Sequence, residues 1–449
     1  MILVAGLLAF TSVWGQNTTS GWEDESGKIP VKAYFESGKL HFASKNENFH
    51  LWFDNRIYLD AAVYSPTSNV DDLTSKTNKD LEDNQFRFSN GVSIRRARFG
   101  VKATLYKKWF AELDLDFAYN EVEIKDMYLG YKFNNHFFVK AGNFKVPMSM
   151  ERTTSSKYLM ASERPMAVEA FADGRRLGLA GTGWGKHWWA SAGVFGREVD
   201  IIQKERNRGN DGYALATRVA VSPIYNEDMT IHVGGYFNYQ TPSGSGLEDK
   251  TVLFRTFPES RVDRRRFVQA EISNVNHYYT TGFELGFRYR KLLTYGEYIY
   301  NNISRYIYGA NNQKTDLKNA VFNGWYATAS YMILGENRQY SPDEAEFGPM
   351  KMRRKGGNLE VAARISNINM NDFHDPAAYI TGGKATSYSA SLNWYPVRNV
   401  VIGLNYIYMN NDKYADSKGQ ITKGGKPLSE VMPSGIDFNV FQLRTMISF

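Results

Sequence analysis

Runs of residues, most of them ten to fourteen long, in which apolar and polar side chains alternate recur along the chain, and they constrain its fold more than any other feature. In residues 92–105, Phe99 and Val101 share one face of an extended chain, while Arg96 and Arg98 lie on the other. Strands of soluble sandwiches usually have about 5–6 residues, whereas a tilted strand that crosses a bilayer needs about 9–11. The length of the runs therefore predicts membrane-spanning strands.

We count sixteen such runs, and an even number is expected of a closed single-chain barrel. The hairpin of the second and third runs predicts that Ala97, Phe99, Val101, Leu113, Leu115 and Phe117 face lipid. The runs are 49–63, 92–105, 109–119, 122–133, 136–142, 174–184, 187–196, 212–222, 228–239, 276–290, 292–303, 320–333, 357–368, 385–395, 398–410 and 437–449.

The connections alternate between short turns and long polar stretches, as in outer-membrane barrels with short periplasmic turns and long outer loops. Two connections break the pattern, because Asn120-Glu121 is short where a long loop is due and 334–356 is long where a short turn is due. We expect the long connection 143–173 to fold into the lumen; a surface loop is the alternative. The predicted fold is all-β, a sixteen-stranded antiparallel transmembrane β-barrel with an in-folded constriction loop.

The N-terminal residues 1–15 form an apolar segment followed by a polar one. We interpret 1–15 as a secretory signal peptide that is cleaved near Gly15. A buried strand or helix is the alternative. Residues 16–48 are then expected to form a short periplasmic segment, and residues 49–449 the barrel.

Composition excludes several classes of function. The net charge of +7 is mixed along the chain, so no nucleic-acid-binding footprint is present. The absence of cysteine excludes disulfide scaffolds and cysteine chemistry, and no phosphate-binding loop or hydrolase motif is found. We expect neither enzymatic activity nor a cofactor or metal. The acidic stretches 71–72 and 80–83 could hold calcium, but a solvated acidic loop is favoured.

Four segments in order resemble the phosphate-selective porin O and P family. They are SIRRARFGVKATLYKKWFAELDLDFA (93–118), VKAGNFKVPMSMERTTSSKYLMASERP (139–165), GWYATASYMILGENRQY (324–340) and LNWYPVRNVVIGLNYIY (392–408). The resemblance covers about residues 35–449. It implies a homotrimeric porin in the outer membrane of a Gram-negative bacterium, surrounded by lipid and lipopolysaccharide. It also implies that small hydrophilic solutes, including anions such as phosphate, cross by passive diffusion.

Basic residues on the inferred inner face and in the loop are candidates for setting the field in the pore, because a guanidinium can bind two oxygens of an anion. Opposing charges weaken this prediction: Lys102 is expected to face Glu112, and Arg98 to face Asp116. The loop 143–173 also carries four basic and four acidic residues, so only a mild anion preference is expected. The predicted pore-lining or anion-interacting residues are Arg96, Arg98, Lys102, Lys145, Arg152, Lys157, Arg164, Arg288, Arg290, Arg364 and Arg444.

Two alternatives remain open at this stage. The barrel could act mainly as an adhesin or a structural surface protein, although long repeat-bearing loops are missing. The Arg261, Arg264, Arg265 and Arg266 cluster could gather anions or bind lipopolysaccharide phosphates. A solvated face of an outer loop is the favoured interpretation of that cluster.

Overall fold

Long antiparallel strands dominate the architecture. The computed structural model of the chain describes residues 29–67, 88–199, 212–243, 250–309, 311, 313–376, 378–415, 420–421 and 437–449. The predicted signal peptide and the acidic stretches 71–72 and 80–83 lie outside these residues. No described helix combines the length and the apolar character that crossing a membrane would require.

The described elements follow one another along the chain as strands joined by turns, with a few short helices in the loops. The helices are α1 (Met150–Thr153), α2 (Met166–Phe171) and two 3-10 turns at Ala118–Asn120 and Ser156–Tyr158. The strands are β1 (Val31–Glu36), β2 (Lys39–Ser44), β3 (Phe49–Phe53), β4 (Arg56–Pro66), β5 (Gly91–Leu105), β6 (Trp109–Asp116), β7 (Glu123–Asn134), β8 (Phe137–Lys145), β9 (Arg175–Trp184), β10 (Trp188–Phe195), β11 (Ala214–Tyr225), β12 (Met229–Gln240), β13 (Val252–Arg255), β14 (Gln269–Ile272), β15 (Val275–Tyr289), β16 (Leu292–Tyr308), β17 (Lys314–Asp316), β18 (Ala320–Leu334), β19 (Arg338–Ser341), β20 (Glu346–Met350), β21 (Asn358–Asp372), β22 (Ile380–Val397), β23 (Val400–Asn411), β24 (Gln420–Ile421) and β25 (Phe438–Ser448).

Sixteen of the described strands form a closed antiparallel barrel, as the sequence predicts. They are β4 to β12, β15, β16, β18, β21, β22, β23 and β25. Closure comes from β25 pairing with β4, with Phe441 opposite Val63 and Arg444 opposite Asp60. The first predicted run is divided at Asp54-Asn55, and its first part, β3, pairs with β2 and β5. The hairpin of β1 and β2 extends this edge.

The alternation of faces agrees with the prediction. Phe99, Leu113 and Phe117 are exposed on the outer surface. Arg98 and Asp114, which are the sequence neighbours of Phe99 and Leu113, are buried on the lumen side. Ala97, Val101 and Leu115 share the outer face by strand register. An apolar outer band is expected of side chains that contact lipid. The closed barrel also leaves no backbone group of the wall strands unpaired in the membrane.

The two irregular connections have distinct structures. The short one after β6 is a single 3-10 turn in which Tyr119 and Asn120 have positive φ values of 63° and 60°. The long one, between β18 and β21, forms the β19–β20 hairpin. Tyr340 of this hairpin contacts His232 of β12, and Arg338 contacts Glu360 of β21, both of which point into the lumen. The hairpin therefore folds into the lumen from the end of the barrel that carries the short turns.

Replacing the lipid-facing Leu285 of β15 by Arg should lower the free energy of unfolding by about 2–4 kcal/mol, because a charge near the bilayer midplane loses its hydration. Leu285 is 51% exposed on the outer face. The measurement is urea-induced unfolding in lipid vesicles. Leu285→Met is the control and should cost less than about 1.5 kcal/mol. Equal stability of the two variants would contradict the assignment of this face to lipid.

Candidate functional site

A polar chamber of about 530 Å³ lies in the middle of the barrel. Its lining comes from the wall strands β4 to β9, from the connections after β6, β8, β10 and β12, and from the β19–β20 hairpin. Among the residues that the structure describes, fourteen Lys and Arg and eleven Asp and Glu line it. The chamber is therefore highly charged, with a net excess of basic side chains.

The connection between β8 and β9, residues 146–174, folds into the lumen, as the loop prediction expected. It is called the inner loop below. Its apolar side chains make the fold favourable, since Val146, Met148 and Val168 are completely buried. The helix α2 packs on β16, β18 and β21. A Cβ atom on Gly324 of β18 would lie 2.5 Å from that of Ala167, so only glycine permits this approach.

Two wall carboxylates anchor the start of α1. The backbone N–H of Met150 donates to Glu284 at 2.9 Å, and that of Glu151 donates to Glu297 at 2.9 Å. The hydroxyl of Ser149 also donates to Glu297, at 3.0 Å. Free N–H groups at the start of a helix favour negative charge, so these carboxylates fix the inner loop to β15 and β16.

A second anchor binds the far part of the inner loop through Glu163. Its carboxylate accepts hydrogen bonds from Arg95 and from Arg444, each at 2.8 Å. Arg444 also pairs with Asp60 at 2.6 Å, across the seam of β25 and β4. All four side chains are nearly inaccessible to solvent. The inner loop is therefore held to the strand pair that closes the barrel.

Most predicted cations of the wall and the inner loop have a carboxylate partner. The cross-strand pairs are those predicted, with Arg98 at 3.0 Å from Asp116 and Lys102 at 3.1 Å from Glu112. Three further pairs are Lys157 with Asp54 at 2.8 Å, Arg152 with Glu169 at 3.3 Å, and Arg175 with Asp126 at 2.6 Å. Burial raises the pKa of Glu169, but Arg261 and Arg152 outweigh burial and lower that pKa to about 2.

Three predicted cations line the chamber without a carboxylate partner among the described residues. Arg164 donates to the carbonyl oxygens of Glu151 and Thr154, at 2.8 and 2.6 Å. Lys145 donates to the carbonyl oxygens of Thr153 and Thr154. Arg96 lies over the ring of Tyr58, 5.6 Å from its centroid. A carbonyl dipole or a ring does not neutralise a full charge, so these three side chains present a positive field to the chamber.

A profile of the phosphate-selective porin O and P family matches residues 68–448. The chain belongs to that family. Porin O of Pseudomonas aeruginosa is 25% identical over 365 residues, which are 74% of this chain and 79% of that protein. An uncharacterized protein of Caulobacter vibrioides is 23% identical over 324 residues, which are 70% of this chain and 62% of that protein. The match thus covers less than two thirds of the Caulobacter relative.

Solved porins share the fold at low sequence identity. The anion-selective porin from Comamonas acidovorans has a TM-score of 0.51 at 12% identity, over 89% of this chain and all of that one. The trimer form of OmpT from Vibrio cholerae has a TM-score of 0.50 at 11% identity, over 89% of this chain and 99% of that one. The chain is therefore a porin-family β-barrel of the outer membrane of a Gram-negative bacterium.

Five predicted pore residues of this porin do not line the chamber. One of them, Lys157, reaches it only through its pair with Asp54. Arg290 lies in the short turn after β15, where its exposed side chain is 3.6 Å from Asp228, so its assignment to the wall is wrong. Arg288 binds the carbonyl oxygens of Asn226 and Glu227 and stabilises the same end of the barrel. Arg364 is buried beneath the loop after β12, 2.7 Å from Glu259. Arg444 lies beneath the inner loop.

The arginine cluster of the loop after β12 does not form a solvated outer face, so that interpretation is wrong. Arg261, Arg264 and Arg266 line the chamber. The guanidinium of Arg264 lies 4.3 Å from the ring centroid of Tyr119, and that of Arg266 lies 4.1 Å from that of Phe257. Stacking on a ring leaves the edge of a guanidinium free for other partners.

Arg95 also lines the chamber, although alternation alone does not predict it there. Strict alternation would place it on the lipid face with Ala97. The β4–β5 pairing shifts its register between Tyr58 and Leu59, so that Arg96 and Ile94 have partners while Arg95 is bulged. A bulge can turn two successive side chains to one side, and both Arg95 and Arg96 are buried. The extra residue has no local sequence signal.

One group of carboxylates in the porin has the spacing of a metal site. Oxygen atoms of Glu112, Asp114 and Asp126 lie within 4.8 Å of one another. Each of the three is paired with a basic side chain, namely Lys102, Arg98 and Arg175, respectively. The basic neighbours already supply the compensating charge, so this group is better explained as part of the wall's ion-pair network.

Replacing Glu163 by Ala should lower the free energy of unfolding by about 3–5 kcal/mol, because it leaves Arg95 buried with an uncompensated charge and removes the link from Arg444 to the inner loop. Urea-induced unfolding in lipid vesicles measures this. Glu227→Ala, at an exposed position in a short turn, is the control and should change stability by less than about 0.5 kcal/mol. A Glu163 variant as stable as the control would show that the anchor does not hold the inner loop.

Proposed function

We propose that this porin allows passive diffusion of small hydrophilic solutes with a mild preference for anions, phosphate among them. The observation that carries the proposal is the set of chamber cations without carboxylate partners, Arg96, Lys145 and Arg164. Family membership and the fold of the anion-selective Comamonas porin support the same direction. No enzymatic step, cofactor or energy-coupling partner enters the proposal.

A mild preference fits the balance of charge better than a strict one. Most wall cations form close pairs with carboxylates, and a close pair presents little net field beyond about a Debye length, roughly 8 Å at physiological salt. A unit charge about 5 Å from an ion in water contributes roughly 0.8 kcal/mol. A few uncompensated cations therefore bias permeation, while binding stays weak enough for the anion to leave.

Reversal potential in a potassium chloride gradient tests the preference. The purified full chain in a planar bilayer should conduct in discrete steps and be more permeable to chloride than to potassium. Arg164→Gln should reduce that permeability ratio about twofold to fourfold, because one uncompensated charge is lost. The control is Arg98→Gln combined with Asp116→Asn, which removes a matched pair and should leave the ratio unchanged.

Several results would contradict the proposal. Cation selectivity of the unaltered protein would exclude an anion preference. Block of the chloride current by micromolar phosphate would indicate a dedicated phosphate site instead of a mild anion preference. Correctly folded protein that never conducts would favour the second candidate, an adhesin or a structural surface protein.

A homotrimer is part of the proposal. OmpT of Vibrio cholerae, which shares the fold, has a trimer form. An apolar groove lined by Ala61, Val92, Leu404 and Leu443 crosses the outer face of the strands that close the barrel, where small residues leave room for a second copy. Chemical cross-linking in mild detergent should give a trimer mass, and a monomer mass alone would contradict the assembly. Outer-membrane lipid and lipopolysaccharide remain predicted neighbours of the free outer face.

A further inference from the structure

The β19–β20 hairpin enters the lumen from the periplasmic end, where every other described connection between wall strands is a short turn. Three inward side chains of the wall hold it in place. Arg338 of the hairpin pairs with Glu360 of β21 at 2.7 Å. Arg218 of β11 donates to the carbonyl oxygen of Ala345 at 2.8 Å, and the indole of Trp189 donates to that of Asp343 at 2.9 Å. The hairpin is therefore a fixed part of the lumen.

The position of the hairpin brings two carboxyl groups to the basic chamber. Glu344 and Glu346 both line it, and their side chains are hydrogen-bonded to each other. Neither forms an ion pair with a Lys or Arg within the described part of the chain, in contrast to the wall carboxylates Glu112 and Asp116. Burial and the neighbouring Glu344 raise the pKa of Glu346 well above its usual value.

The contact between the carboxyl groups of Glu344 and Glu346 determines how much negative charge they carry. Two carboxyl groups in hydrogen-bond contact repel each other strongly when both are ionised, and burial makes Glu346 the one that keeps its proton. The pair then carries about one negative charge. Lys145, one of the cations without a carboxylate partner, is close enough to Glu346 to oppose part of the rise in the pKa of that carboxyl group. This negative charge therefore lies within reach of the positive field that the proposed anion preference depends on.

We propose that Glu344 and Glu346 are specificity-determining residues, which place negative charge on the periplasmic side of the chamber and so keep its anion preference mild. This inference rests on the proposed function. Field strength in a pore depends on every charge near the ion's path, and a low-dielectric wall focuses that field. An anion leaving toward the hairpin meets repulsion, which weakens its retention by the cations. The hairpin thus sets how tightly the chamber holds an anion.

The test is the reversal potential of Glu344→Gln combined with Glu346→Gln, measured on the full chain in a planar bilayer. Both replacements keep size and hydrogen bonding while removing charge. The ratio of chloride to potassium permeability should rise about twofold to fourfold. Glu344→Gln alone is a second variant that is expected to fold readily, since the Glu344 side chain is exposed. It should shift the ratio in the same direction.

The matched control removes two carboxylates from the same end of the barrel but outside the chamber, as Glu227→Gln combined with Asp228→Asn. Both control residues are exposed in the short turn after β11. The inference is supported if the permeability ratio shifts more in the hairpin variants than in the control variant. An equal or smaller shift in folded, conducting hairpin variants overturns it, while the anion preference of the unaltered protein still stands. Folded, unaltered protein that does not conduct would overturn both.

Discussion

The pairing of the last wall strand with the first is the constraint on which the rest of the molecule depends. Until β25 pairs with β4, the sheet has two open edges, and unpaired backbone groups are not tolerated in lipid. The seam is also strengthened on its inner side, where Arg444 of β25 pairs with Asp60 of β4. Arg444 then extends this contact to Glu163 of the inner loop. Barrel closure and the position of the inner loop are thus joined through one guanidinium.

Closure with sixteen strands leaves a lumen too wide for wall side chains to fill. Inward-folding segments occupy it, and each brings a charge that compensates a buried charge of the wall. Glu163 compensates Arg95, Glu259 compensates Arg364, and Arg338 compensates Glu360. Removal of one partner from a buried pair is costly, so these contacts determine where each segment lies. The cations that remain without a partner then give the chamber its field.

The barrel was predictable from sequence because its signal is local. Alternation is visible within each run, and all sixteen runs correspond to wall strands, with the first divided between β3 and β4. Cross-strand pairs such as Arg98 with Asp116 were also predictable, since the short turn between β5 and β6 fixes their register. The inward fold of residues 146–174 was predicted from the length and position of that connection.

The chamber was less predictable because its contacts join distant parts of the chain. Glu259 and Arg364 are separated by more than a hundred residues, and nothing near either residue indicates the other. The bulge at Arg95 and the inward fold of the β19–β20 hairpin likewise depend on register and on tertiary contacts. The length of the connection 334–356 showed that it was irregular, but the carboxyl pair of Glu344 and Glu346 becomes visible only with the hairpin in place.

The central claim is that ions cross the barrel through the chamber beside the inner loop. The chain contains no cysteine, so one introduced thiol can be modified without background. The measurement is the current through Arg164→Cys in a planar bilayer before and after a bulky charged thiol reagent is added. Modification should reduce the current steeply, while modification of Leu285→Cys on the lipid face should leave it unchanged. A current unaffected by modification at position 164 would contradict the account.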